Sequence, residues 1–205
     1  MVRIVAGIVV RFLPILFLAL FAHLGARAET TGATRGYYED PPRCIAVLAG
    51  PMELGVVAAG RIAEALARQL SGRVEKVIHP RERRRLVRAM AVDLAHPDDA
   101  RHFAATTHCP AFLRWHVMGA GHDNALIWSQ KYIHISAEII RPRDGAVLWQ
   151  ANSTASRSSG DVPLSLFSLP LAMLRAAAFQ EDDDAVASML DDLARRLLAS
   201  LPDTR

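Results

Sequence analysis

LIWSQKYIHISAEIIRPRDGAVLWQANSTAS, residues Leu126 to Ser156, reads as two strands joined by a tight turn. Within it, Tyr132, His134, Ser136 and Glu138 alternate with Ile133, Ile135, Ala137 and Ile139. Successive side chains on a strand point to opposite faces. This period of two therefore sends the apolar set to a core and the polar set to water or a partner. Pro142-Arg143-Asp144-Gly145 is turn chemistry. Proline fixes φ, aspartate bonds its own backbone, and glycine takes positive φ without steric cost. Val147, Trp149 and Ala151 then resume the alternation. The hairpin carries no catalytic constellation.

Upstream, Ala111 to Met118 reads as a further strand, left through Gly119-Ala120-Gly121. Before it, Ile45 to Ala49 is a short apolar run closed by Gly50-Pro51, suited to a strand buried on both faces. Arg73 to Ile78 is another short strand. Glu53 to Leu70 is a helix, with Val56, Ala59, Ala63, Leu66 and Leu70 on one stripe and Ser71-Gly72 as its stop. His79-Pro80 and His96-Pro97 each open a helix, because proline is tolerated in the first turn. Downstream, 157–161 is read as a loop. Val186, Met189, Leu190, Leu193 and Leu197 form the stripe of a last helix that Pro202 ends. The strand–helix order demands right-handed parallel crossovers followed by an antiparallel hairpin. The expected fold is α/β: a mixed five-stranded sheet with helices on both faces, the first strand near the centre and the hairpin at one edge.

The N-terminus has its own character. Arg3 and Arg11 precede an apolar run from Phe12 to Leu24, and Ala26-Arg27-Ala28 offers small residues where a signal peptidase reads. Residues 1–28 are expected to be a signal peptide cleaved after Ala28, residues 29–43 a flexible leader, and residues 44–202 one α/β domain. The alternative is a retained anchor. Export implies a periplasmic location. The formal charge of +3 over 205 residues falls to 0 once Arg3, Arg11 and Arg27 are removed, so no general affinity for nucleic acid follows.

Several residues invite a chemical reading. Cys44 and Cys109 each lie at the start of a strand. They are either bridged, as export permits, or two buried thiols. Arg81, Arg84, Arg85 and Arg88 form either an anion-binding face or a solvated one, and peripheral membrane association is allowed. His96, Asp98, His102 and His108 sit close in sequence but match no established ligand spacing. G-x-S-x-G, a phosphate loop and a zinc signature are all lacking, so no catalytic residue, metal, cofactor or small-molecule substrate is expected. Pro163 to Gln180 is apolar with Pro170 inside it, either an added core helix or a sticky surface. The candidate partner surface is Trp128, Tyr132, His134, Trp149, Leu166, Phe167 and Leu169.

The succession CIAVLAGPMELG, HPRERRRLV, HPDDARHFAATTHCPAFLRWHVMG, YIHISAEIIRPRDGAVLWQANSTAS and a final helix with ARRLLASLP resembles a group of bacterial envelope proteins. The group includes the curli secretion channel, the lipoprotein activators of penicillin-binding proteins, the N-terminal domain of the Tol–Pal propeller protein, and surface lipoproteins of unassigned function. Its turn pattern D-x-x-T/D-G-x-x-x-W corresponds here to Arg143-Asp144-Gly145-Ala146-Val147-Leu148-Trp149. The chain lacks the group's lipid-bearing cysteine and the long inserts that build a channel. The resemblance implies a non-enzymatic accessory role in envelope assembly or transport, with an envelope protein or a second copy as partner. An auxiliary role in an envelope lipid transporter and a self-assembling structural subunit are the alternatives.

Overall fold

The computed structural model describes residues 32–50, 56–125, 128–160 and 183–205. The turn at the quoted stretch forms as its chemistry demands. Gly145 has φ of 72° and its N–H donates to the Arg141 carbonyl at 2.8 Å. The Asp144 carboxylate accepts from the Ala146 N–H at 3.1 Å. On either side run β5 (Trp128–Arg141) and β6 (Ala146–Gly160), paired antiparallel along their length. β4 (Ala111–Ala125) pairs with the other side of β5.

The parallel half follows from the short apolar strands. β2 (Cys44–Val47) is fully buried and lies between β3 (Lys76–Ile78) and β4, parallel to both. The helices are α2 (Val56–Leu70), α3 (Pro80–Met90), α4 (Pro97–Thr107) and α5 (Asp183–Leu197), the last continued by one 3₁₀ turn. Proline is the first residue of both α3 and α4, and each of these helices ends on a left-handed residue, Ala91 or His108. An eleven-residue helix closed this way satisfies its last carbonyls locally.

Residue parity splits the apolar side chains between two cores. Ile45, Val47, Leu113, Trp115, Ile135, Ile139 and Trp149 face α2 and α5, whose Leu66, Leu70, Leu190 and Leu193 close over them. Arg68 and Asp191 join these two helices by an ion pair of 2.6 Å. On the opposite face Cys44, Ala46, Ile78 and Phe112 meet Ala100, Phe103 and Cys109. Two buried indoles find acceptors: Trp115 Nε1 donates to the Leu48 carbonyl and Trp149 Nε1 to Ser200 Oγ. A buried indole N–H left without such a partner would cost about 1–3 kcal/mol.

Four expectations need correction. The sheet has six strands, in the order β1-β6-β5-β4-β2-β3. The sixth comes from the segment read as a flexible leader. β1 (Gly32–Ala33) pairs with β6 at Trp149 and Gln150, and α1 (Arg35–Glu39) follows it. The reason lies in two side chains. Thr34 binds the Val147 and Leu148 carbonyls through its hydroxyl, and Tyr37 is 1% exposed, its hydroxyl donating to the Pro202 carbonyl. β2 lies second from one edge, with β3 outside it, and the hairpin is capped by β1 at the other.

The third correction concerns Gly119-Ala120-Gly121, read as an exit loop, which stays in β4 opposite His134, Ile133 and Tyr132. A one-residue register shift at Met118 absorbs the change of twist there. The fourth concerns 157–160, read as loop, which continue β6 opposite β5. Leu166, Phe167 and Leu169 lie outside the described residues, as does the whole 1–31 segment.

Candidate functional site: the open face and projecting end of the long strands

Directly opposed residues in an antiparallel pair share a face. The register therefore assembles one polar face across three strands. Arg114, Glu138 and Gln150 form its first row, and His116, Ser136 and Asn152 the second. Gly119, His134 and Thr154 form the third, and Gly121, Tyr132 and Ser156 the fourth. α4 covers this side of the sheet only as far as Phe112 and Ile140. Arg114 and His116 are exposed and His134 is half-buried. Arg114 Nε donates to Glu138 Oε1 at 2.7 Å, which spends the single acid of the first row.

The fourth row shows how the strand keeps its glycine. A Cβ built on Gly121 would stand 2.7 Å from the Tyr132 hydroxyl and 2.8 Å from Cζ. The phenol thus lies over the bare backbone, and the aromatic ring supplies the packing that glycine cannot. Gly119 has nothing within 4 Å of the same position, leaving open space beside His134.

The long strands also outrun their cover. Among the residues whose burial is described, the last buried side chain on β4 is Trp115, the first on β5 is Ile133 and the last on β6 is Ala155. Beyond these, all three strands remain paired to their ends. Met118 is 61% exposed and Tyr132 37% exposed at the start of this projecting ribbon. On the outer side of β6, no strand pairs past Gln150 among the described residues.

The expected site residues separate accordingly. Tyr132 and His134 stand next to one another on the open face. Trp128 lies in the ribbon, opposite Ala125 and Gly160. Trp149 is 0% exposed, so its place in the partner surface is corrected: the same parity that puts Tyr132 outside puts Trp149 in the core. Sequence reasoning passed over Met118, Arg114 and His116, although the alternation in Phe112-Leu113-Arg114-Trp115-His116 carries the signal.

Cys44 and Cys109 are joined by a disulfide across the β2–β4 boundary, with Cα atoms 4.8 Å apart, and both are buried. His96 and His108 cap the two ends of α4, while Asp98 pairs with Arg101. Among the described residues no three His, Cys, Asp or Glu side chains are grouped to hold a metal ion. In α3, Arg81, Arg84, Arg85 and Arg88 are exposed, whereas Arg83 is 7% exposed and donates from Nη1 to the Val47 carbonyl at 2.8 Å. Burial, with Arg84 beside it, pulls the Arg83 guanidinium below its ordinary pKa. A sequence signal existed: Pro80, Arg83 and Val87 fall on one side of the helix.

No family model matches the chain, and no curated protein does. Solved structures do. The PelC dodecamer of Paraburkholderia phytofirmans matches at 14% identity over 80% of this chain and 89% of its own, TM-score 0.45. Lipoprotein GNA1162 of Neisseria meningitidis matches at 15% identity over 69% of this chain and 100% of its own, TM-score 0.45. The C-terminal domain of LpoB from Salmonella enterica matches at 13% identity over 64% of this chain and 87% of its own, TM-score 0.38. One of these structures, GNA1162, is a lipoprotein, the kind of protein that the hairpin and its flanking motifs resemble.

Proposed function

We propose that the chain is a non-enzymatic accessory protein of the bacterial cell envelope, acting in the periplasm by binding another protein. The contact surface is the projecting end and open face of β4, β5 and β6. One observation carries this reading: three paired strands run past their helical cover and present Met118 and Tyr132 to solvent beside a polar face. Ordered backbone with exposed large apolar groups on a polar surround is the arrangement of a protein contact. The hydrophobic N-terminal segment supports an envelope location.

The test is capture from crosslinked envelopes, with partners identified by mass spectrometry, using the native chain and Met118→Asp/Tyr132→Ala. The expected result is one envelope protein captured by the native chain and lost with the variant, with far-UV circular dichroism unchanged. A partner retained by the variant would overturn the assignment of this surface. The outer edge of β6, along which no described strand pairs past Gln150, favours a second reading, a self-assembling subunit whose copies add strand to strand. Sedimentation of the purified chain separates the two: a monomer at micromolar concentration excludes self-assembly.

A further inference from the structure

We infer that the arginine stripe of α3 is a second contact surface, for the phosphate groups of an anionic lipid surface. Arg81, Arg84, Arg85 and Arg88 recur at intervals of three, one and three residues, the spacing of a single helix face. All four are exposed. The opposite side of the helix is fixed: Leu86, Val87 and Met90 pack on the smaller core, and buried Arg83 is tied to the Val47 carbonyl. The stripe is thereby held outward and cannot roll in.

Its charge is not spent internally. Among the described residues, Arg84 and Arg85 make no ion pair. Arg88 bonds only the Arg84 carbonyl, at 3.3 Å, and Arg81 stands 3.9 Å from Glu64. Elsewhere arginines do pair closely: Arg35 with Glu39, Arg68 with Asp191, Arg114 with Glu138, Arg141 with Asp144, Arg196 with Asp192. A chain whose charge is near zero without its first 28 residues has concentrated an unpaired positive stripe on one helix.

The geometry selects the ligand. Four guanidinium groups strung along about 10 Å of helix diverge on a convex surface, so they match an array of phosphates rather than one phosphate held by converging donors. Each guanidinium can chelate a phosphate with two parallel N–H bonds. A protein partner would want an apolar anchor at the centre of the patch. None of the exposed large apolar side chains, Tyr38, Met118 and Tyr132, belongs to this helix. Binding is therefore electrostatic adsorption, weak per residue and strongly salt-dependent.

Co-sedimentation tests this with the full chain and vesicles of phosphatidylcholine alone or mixed equally with phosphatidylglycerol. The comparison variant, Arg84→Gln/Arg85→Gln/Arg88→Gln, carries the same N-terminal apolar segment, so any binding through that segment cancels. The native chain is expected to bind the anionic vesicles in excess over the neutral ones. That excess should fall about tenfold or more in the variant, and likewise when salt is raised from about 0.05 to about 0.5 M. An equal excess in the variant, or none in the native chain, overturns the inference. Loss of the excess to millimolar inorganic phosphate at constant ionic strength overturns the lipid source and assigns the stripe to a free phosphate.

Discussion

The two faces of the sheet are built from the same strands and come to opposite ends. One face is apolar along β2 and along the parts of β4, β5 and β6 that α2 and α5 cover. The other is apolar only over β2, β3 and the first residues of β4, where α3, α4 and the disulfide cover it. Past Phe112 and Ile140 it turns polar, and no described helix packs an apolar side chain on it. The difference is set by a period of two: Ile133, Ile135, Ala137 and Ile139 on one side of β5, Tyr132, His134, Ser136 and Glu138 on the other. A single strand thus contributes both to the stability of the domain and to the surface it has to offer. A slip of one residue would exchange the two.

The sharpest way to break the comparison is on the covered face. Trp149→Ala removes a fully buried indole between the sheet and the C-terminal turn, and is expected to cost about 3–5 kcal/mol. Urea unfolding measures it, and a loss under about 1 kcal/mol would mean that the ring is not packed as described. Next comes the half-covered face, whose small core relies on a covalent tie closing a 65-residue separation. Cys44→Ser/Cys109→Ser is expected to cost about 2–4 kcal/mol, mainly through the freed unfolded chain. A native chain whose stability is unmoved by reductant would remove the disulfide from that account.

The smallest effect falls at the turn that joins the open strands. The Arg141 guanidinium, by its hydrogen bond to Asp144, and the Ala146 N–H hold the Asp144 carboxyl below its usual range. A lowered folded-state pKa stabilises the protein above the unfolded value of about 4. The contribution is lost as pH falls through the depressed pKa. Asp144→Asn should therefore shallow the acid limb of a stability-versus-pH curve below about pH 4 and leave its shape near pH 7 unchanged. An acid limb identical in the variant would show that the turn contributes nothing there.

Much of this was legible in the sequence because one physical signal governed it. Alternation placed the hairpin and its two sets of side chains, and Pro142 to Gly145 placed the turn. Short apolar runs gave the parallel strands, and His-Pro steps gave the starts of α3 and α4. What escaped depended on partners distant in sequence. Nothing local to Gly32–Glu39 reveals that Tyr37 will meet Pro202, so a polar, Gly- and Pro-containing segment reads as a leader. Gly119 and Gly121 signal a loop unless Tyr132 is known to lie across Gly121. Arg83 reads as one more solvated arginine until the Val47 carbonyl stands beside it. The same limit applied to the site: alternation separates an outside from an inside, but it misassigned Trp149 because an aromatic residue fits either.

The bonds made by residues 201–204 have a consequence for the order of folding. Tyr37 donates to the Pro202 carbonyl, Arg73 to the Leu201 carbonyl, the Thr204 N–H to the Arg73 carbonyl and the Thr204 hydroxyl to the Pro42 carbonyl. The segments beside β1, β2 and β3 are therefore clasped by a stretch far from them in sequence. Contacts this distant in sequence form late. Until they do, the covered face lacks α5 and its apolar side chains remain accessible. Residues 201–204 thus act as a clasp that joins segments lying more than a hundred residues apart in sequence.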